Sequence, residues 1–133
     1  MAYDVVFDSD LGTIRFENKD RYIYHTFHKP VSGPRFQSMM NAGLDHLAKQ
    51  HAAKWLSDDR LNAQFAPEDI QFALADWGPR AAAAGWKFWA LVVPKDMLGR
   101  DSMQAIVEAF FNMGVRVAIF SEVEPARDWL VSV

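Results

Sequence analysis

The chain has 133 residues, of which 50% are apolar and 14% aromatic, with a formal net charge of −3 and no cysteine. This length suits a single domain with one hydrophobic core, and the apolar content excludes a disordered chain. The missing cysteine excludes disulfides, thiolate nucleophiles and cysteine-ligated metals, and the absence of a basic run disfavours binding to nucleic acid.

The sequence predicts neither a secretory signal nor a membrane span. The amino terminus has no basic segment followed by an apolar core and a small-residue cleavage site, so a secretory signal is not expected. No apolar run approaches the roughly 18 residues that a membrane span requires. The sequence therefore predicts a cytoplasmic protein without a transmembrane segment.

Three alternating segments open the chain. Apolar and polar residues alternate over 3–7, 13–17 and 21–28, and turn residues separate these segments. In the third segment Ile23, His25 and Phe27 share one face. A period of two with short connections predicts three strands in an antiparallel meander.

The period changes after Ser32. Apolar residues now recur at three- and four-residue steps from Phe36 to Ala48, with Ser32 as the expected cap and Pro34 in the first turn. The opposite face is polar. This pattern predicts an amphipathic helix that packs on the sheet.

A short apolar run leading to Leu56 stops at Ser57-Asp58-Asp59-Arg60. This pattern is typical of a central strand whose carboxyl end meets solvent, the edge where open α/β sheets bind ligands. We therefore expect Ser57, Asp58, Asp59 and Arg60 to form a polar rim. The two adjacent acids should point to opposite faces of the sheet.

Pro67 fits the first turn of the next helix, which Gly78-Pro79 should kink or break and Gly85 should end. The residues from Trp86 to Val93 are apolar almost throughout. Such a run is typical of a buried strand in a parallel sheet.

The last third of the chain predicts a helix, a strand and a second helix. The first helix is capped by Asp101 or Ser102, and the strand covers 115–120. Ser121 and Glu124 have the spacing of a capping box, which would open the final helix.

The predicted order is βββαβαβαβα in one domain spanning 1–133. The predicted fold class is α/β, with a mixed sheet in which an antiparallel meander is followed by parallel crossovers, and with helices covering the sheet. Such crossovers are right-handed in nearly all known cases.

Bulky apolar residues exceed what one face of each element needs. Flexible methionines and flat aromatics suit either an apolar ligand pocket or an association surface. A large core with a few surface aromatics is the alternative. The candidate ligand-binding residues are Met39, Met40, Trp77, Trp86, Trp89 and Phe110.

No catalytic residue, cofactor or metal is predicted. His25 and His28 lie three apart on a strand and so face opposite ways, and histidines are expected at the surface or at caps. Asp58 and Asp59 supply too few oxygens for Mg²⁺; one should cap a turn and one should pair with Arg60. Glycine-rich phosphate loops and Gly-x-Ser-x-Gly elbows are missing.

Several segments together resemble the bacterial SpoIIAA-like family. They are Trp55-Leu56-Ser57-Asp58-Asp59-Arg60, the Trp-Gly-Pro-Arg sequence from Trp77, Ala84-Gly85-Trp86-Lys87, the strand ending in Pro94, and the tail from Phe120 to Leu130. The resemblance implies a STAS-type fold, related in shape to CRAL-TRIO lipid-binding domains. It also implies a small cytoplasmic domain without an established reaction, whose relatives are phosphorylation-controlled protein partners or modules of transporters.

The chain departs from that pattern at one position. Relatives that antagonise anti-sigma factors carry a phosphorylated serine at the start of a helix, and Ser57 occupies the corresponding region. Asp58 and Asp59 follow it directly, and their charges would repel an incoming phosphate.

The sequence favours a non-enzymatic module. It would act in regulatory protein–protein interaction, as a homodimer or with a protein partner, and/or bind a small apolar, lipid-like ligand between the sheet and the helix around Trp77. The alternative is an enzyme of unrecognised type that uses Asp58, Asp59 and Arg60 at the carboxyl rim of the sheet, together with His28 or Lys95.

Overall fold

A computed structural model describes residues 3–133 as one six-stranded mixed sheet. Its strands follow one another in chain order across the sheet: β1 (Tyr3–Asp8), β2 (Gly12–Glu17), β3 (Tyr22–Phe27), β4 (Lys54–Asp58), β5 (Phe88–Val92) and β6 (Arg116–Phe120). β1, β2 and β3 pair antiparallel, and β3, β4, β5 and β6 pair parallel. The predicted α/β class, with a meander followed by parallel strands, is confirmed.

Helices fill each parallel connection and end the chain. They are α1 (Pro34–Lys49), α2 (Pro67–Phe72), α3 (Gly78–Ala83), α4 (Asp101–Phe111) and α5 (Val123–Ser132). A π-helical segment, Ala73–Trp77, joins α2 to α3, and a 3₁₀ turn, Lys95–Met97, precedes α4. None of the helices described combines the length and apolar character that a membrane crossing requires.

The helices divide between the two faces of the sheet. Because the parallel strands are added in one direction, crossovers of one hand place α1, the α2–α3 helix and α4 on the same face. Residues of these helices share the larger core with Ile14, Phe16 and Trp55. Helix α5 covers the other face, where Ala126 and Leu130 pack on Leu56 and Ala90.

Strand β4 alternates strictly between these faces. Trp55 belongs to the larger core, whereas Leu56 belongs to the core beneath α5. The alternation turns Ser57 towards α1–α4, Asp58 towards α5, and Asp59 back towards α1–α4. The prediction that the adjacent acids face opposite ways is confirmed.

Three predicted helix caps are wrong. The cap of α1 is Gly33 and not Ser32, and the Gly33 N–H donates to both carboxylate oxygens of Asp69 at 3.0 and 3.2 Å. The cap residue itself is thus held by a side chain 36 positions away, while no side chain caps the first turn. Helix α4 is capped by Arg100, and α5 begins after Glu122 without a side-chain capping bond.

Of the kink or break predicted at Gly78-Pro79, the break is wrong, and a change of helical register precedes Gly78. The backbone keeps right-handed helical angles at Phe72, Ala73, Trp77 and Gly78, so the helix continues through the π-helical segment. Pro79 then lies in the first turn after the change of helical register, where a missing N–H is tolerated.

Gly43 lets α1 approach the sheet directly over Trp55. A Cβ at this position would lie 2.5 Å from Cη2 of Trp55, a buried ring that cannot move aside. Gly43→Ala is therefore expected to lower the free energy of unfolding by about 1–3 kcal/mol through overpacking, although alanine is the better helix former. Urea unfolding measures this change, and a gain in stability would contradict the packing described.

Candidate functional site

A cavity of about 100 Å³ lies between the carboxyl half of the parallel strands and the helices above them. Its floor comes from β3, β4 and β5, and its roof from α1, α2, the π-helical segment and α4. The aromatic side chains around it are Phe27, Phe36, Trp55, Phe65, Phe72, Trp77, Trp86, Trp89 and Phe110. We call this space the aromatic cavity.

The tryptophans of the aromatic cavity pack on one another in a fixed arrangement. The Trp77 ring meets Trp55 and Trp86 edge-on, each at 5.2 Å between centroids, and Trp86 meets Trp89 at 5.5 Å. Edge-to-face pairs at these separations are favourable beyond their buried area. The Trp77 Nε1–H also donates to the Met40 carbonyl at 2.9 Å, which ties the π-helical segment to α1.

The π-helical segment ends at a glycine that the packing requires. A Cβ on Gly78 would lie 2.5 Å from the Ala73 carbonyl oxygen and 3.1 Å from both the Phe110 ring and the Met113 sulfur. Helix α4 can therefore come close enough for Phe110 to reach the aromatic cavity. Single π-helical turns recur at functional sites because they displace side chains relative to a regular helix.

His25 is the buried polar residue of β3, only 1% exposed and in register with Ser57 of β4. The Trp55 Nε1–H donates to its Nδ1 at 3.3 Å, so the ring proton lies on Nε2, which has no partner. Burial lowers the pKa of His25 to about 3, with the Asp58 charge opposing this shift. The imidazole is neutral near pH 7, and the expectation of a surface or cap histidine is wrong for this residue.

Asp59 is the second buried polar group, 3% exposed. Its backbone N–H extends the ladder to the Val92 carbonyl at 2.8 Å, while Oδ1 has no partner. Burial raises the pKa of Asp59 well above its ordinary value, the Asp58 charge raises it further, and the Ser57 hydroxyl opposes the shift. Desolvation of this kind favours the protonated, uncharged carboxyl.

Asp58 and Arg60 form a separate pair on the α5 side of the strand. Arg60 donates from Nε to Asp58 Oδ1 at 2.9 Å and from its terminal nitrogen to Oδ2 at 2.7 Å. Arg60 is half exposed, and the pair raises the pKa of Arg60. The four residues expected to form one polar rim are thus divided between the two faces.

The residues predicted from the sequence fall into two groups. Those that line the aromatic cavity are Met40, Ser57, Asp59, Trp77, Trp86, Trp89 and Phe110. Met39 lies instead in the core, with its Cε 2.6 Å from the position of a Cβ on Gly12. Of the side chains named for an enzyme, only Asp59 lines the cavity: His28 bonds to the Thr13 hydroxyl at 2.8 Å, and Lys95 is exposed.

Sequence reasoning missed several residues of this site. His25 shares the apolar face of its strand with Ile23 and Phe27, and this position was a usable signal of burial. Asp69 had no comparable signal, since its role depends on the distant Gly33. Within residues 3–133 no three histidine or acidic side chains come together as metal ligands.

Comparison of the chain with protein-family models, curated proteins and solved structures found no match. The resemblance to the SpoIIAA-like family stays a prediction. What can be argued about function therefore follows from the geometry of the aromatic cavity.

Proposed function

We propose that this domain binds a compact, largely apolar small molecule in the aromatic cavity. The observation that carries the proposal is an aromatic space whose lining includes two buried polar atoms without partners, His25 Nε2 and Asp59 Oδ1. Small-molecule sites are commonly apolar pockets with a few polar groups that orient the ligand.

The volume limits the size of the ligand. An engineered cavity of about 150 Å³ lined by apolar side chains accepts benzene. The aromatic cavity, at about 100 Å³, matches a single ring or a short branched chain once flexible wall residues such as Met40 and Leu74 adjust. A long-chain lipid would fit only if the helices of the roof moved apart. Among the lipid-like ligands expected from the sequence, we therefore propose a small one.

A route to the cavity passes helix α2 at the start of the roof. Ile70 of α2 belongs to the lining and is 44% exposed, and Phe65, Phe72 and Leu74 beside it are half-buried. These side chains connect the interior to solvent without crossing the sheet. Their half-buried state supports entry from this side.

His25 and Asp59 place two unpartnered buried polar atoms in one cavity. A buried polar group without a partner costs about 1–3 kcal/mol, so two of them lower stability noticeably. Residues that lower stability, and whose cost no stabilising contact offsets, are typical of functional sites. This argument favours binding over simple packing.

Filling the cavity should abolish binding. Ala73 lines the cavity from the π-helical segment, and Ala73→Leu places a larger side chain in that space. Toluene, a single apolar ring, is expected to quench the fluorescence of the cavity tryptophans in the unaltered protein, and Ala73→Leu should weaken its binding at least ten-fold, about 1.4 kcal/mol.

Ala75→Leu is the matched control. Ala75 lies in the same π-helical segment but is exposed, so this substitution should leave toluene binding unchanged. Equal binding of toluene by both variants, or no binding by the unaltered protein, would contradict the proposal. Native mass spectrometry before and after denaturing extraction would identify a retained compound and count subunits, which also checks the predicted homodimer.

A further inference from the structure

We propose that the ligand is a single aromatic ring with one neutral oxygen substituent, of which phenol is the simplest, and that its oxygen bonds to His25 Nε2 and Asp59. This inference rests on the binding function proposed above and assigns the chemistry of the ligand head. Here the head is the polar substituent on the ring of the ligand. Its chemistry follows from the unpartnered atoms of His25 and Asp59, from the protons on these two side chains, and from the charges near them.

His25 offers a hydrogen-bond donor. Its Nδ1 already accepts from Trp55 at 3.3 Å, so the unpartnered Nε2 carries the proton. A donor needs an acceptor, and no side chain of the lining lies within hydrogen-bond distance of this nitrogen. The ligand atom nearest His25 should therefore be an acceptor, which a hydrocarbon lacks.

Asp59 offers an uncharged carboxyl. Burial and the neighbouring Asp58 raise the pKa of Asp59, so its O–H can donate and its Oδ1 can accept. A carboxyl kept neutral by an apolar site and used as a donor to a substrate oxygen is a known device in ketosteroid isomerase. One hydroxyl oxygen can satisfy both groups, since it accepts from His25 and either accepts from or donates to Asp59.

Charged heads fit this site less well. An anionic head would enter an apolar space with no cationic side chain in its lining, and the Arg60 guanidinium is held by Asp58 on the opposite face of the sheet. A cationic head would need the ionised form of Asp59 as its partner, which burial and the Asp58 charge disfavour, and it would also face the His25 N–H. Burial of an unpaired charge is costly, so a neutral head is favoured.

The strands place the two groups close to one another. His25 is in register with Ser57, and Asp59 follows two residues later on the same face, so the polar side chains stand together at the carboxyl end of neighbouring strands. The Ser57 hydroxyl accepts from Trp89 Nε1 at 2.7 Å, which leaves it less free to meet a ligand. The polar contact is thus assigned to His25 and Asp59.

The test compares probes that share a ring and differ in the head. Toluene, phenol and benzylamine are titrated against the full chain by calorimetry or tryptophan fluorescence. In the unaltered protein phenol should bind at least as tightly as toluene, although dehydrating its hydroxyl is costlier. In Asp59→Val the ratio of phenol to toluene affinity should fall at least ten-fold.

Further variants separate polarity from shape. His25→Asn keeps an acceptor for Trp55 and removes the Nε2–H, so the affinity ratio should fall in the same direction. Asp59→Ala removes the carboxyl while leaving more space, and should lower the ratio equally. Ala75→Leu, the exposed control used above, should leave the ratio within two-fold of the original value.

The outcomes separate the assignment of the ligand head from the proposed binding of a small apolar molecule. If toluene binds and the affinity ratio is unchanged by Asp59→Val and His25→Asn, the assignment of the head is wrong and apolar binding stands. If benzylamine binds more tightly than phenol, the site prefers a cation and the assignment is also wrong. If neither toluene nor phenol binds the unaltered protein, both proposals fail.

Discussion

In an Asp59→Val background, acidification from pH 7 to pH 4 is expected to lower the free energy of unfolding by about 3 kcal/mol through His25 alone. The pKa of His25 is about 3 in the folded protein and 6.5 in an unfolded chain. The unfolded state therefore takes up a proton as the pH falls below 6.5, while the folded state does not. Stability from this group is complete above pH 6.5 and is lost as the pH approaches 3.

Asp59 acts in the opposite direction and would mask the effect of His25. Its pKa is raised in the folded protein, so the stability linked to it is complete below about pH 3.8, the ordinary aspartate pKa, and falls as the pH rises towards the folded value. The unaltered protein should consequently show a flatter stability profile than Asp59→Val. Replacing Asp59 reveals the loss at acid pH that His25 causes.

The measurement is urea unfolding at several pH values for Asp59→Val and for the double variant Asp59→Val with His25→Asn. Other acidic groups contribute equally to both proteins, so the difference between their slopes isolates His25. In the double variant, the loss of stability between pH 7 and pH 4 should be smaller by the amount attributed to His25. Parallel profiles for the two proteins would show that His25 is not buried in the neutral form.

The order of strands and helices could be predicted because the spacing of apolar residues indicates which face of each element is buried. The alternation at Ile23 and Phe27, and the apolar run before Val93, each predict a strand that the structure contains. Short connections and the handedness of crossovers then leave few arrangements of the sheet. Local patterns were sufficient here because each element buries its own apolar face.

Features that depend on distant partners could not be predicted in the same way. The cap of α1 relies on Asp69, whose carboxylate reaches Gly33 across the fold. The helix continues at Pro79 because the preceding π-helical turn changes the hydrogen-bond register. Propensity scales for single residues do not predict such a change. Sequence patterns report what a residue prefers, whereas these contacts depend on what tertiary structure brings near it.

The candidate site was predicted in part for the same reason. The excess of aromatic side chains indicated a pocket or an association surface, and Trp77, Trp86 and Trp89 do line one cavity. The separation of Asp58 from Asp59 follows from strand alternation. The burial of His25 is consistent with its place between Ile23 and Phe27 on an apolar face, whereas its spacing from His28 indicates nothing about burial.

Truncation of Trp77 to alanine should destabilise the domain by about 3–5 kcal/mol, the range for removing a large aromatic side chain from a core. The ring is 4% exposed, contacts Trp55 and Trp86 at 5.2 Å, and donates to Met40. Trp77→Phe keeps a ring but loses the hydrogen bond, and should cost less, about 1–2 kcal/mol beyond its smaller size. Thermal or urea unfolding measures both variants.

Indole should restore part of the stability lost by Trp77→Ala, because the enlarged aromatic cavity then accepts the ring that was removed. A ligand present at 100 times its dissociation constant stabilises a folded protein by about 2.7 kcal/mol. Trp129→Ala is the matched control, since Trp129 packs against Phe88 and Phe120 beneath the opposite face of the sheet, outside the cavity. Rescue of Trp77→Ala alone would locate indole binding in the aromatic cavity, whereas equal rescue of both variants would show that indole acts elsewhere and would contradict the prediction.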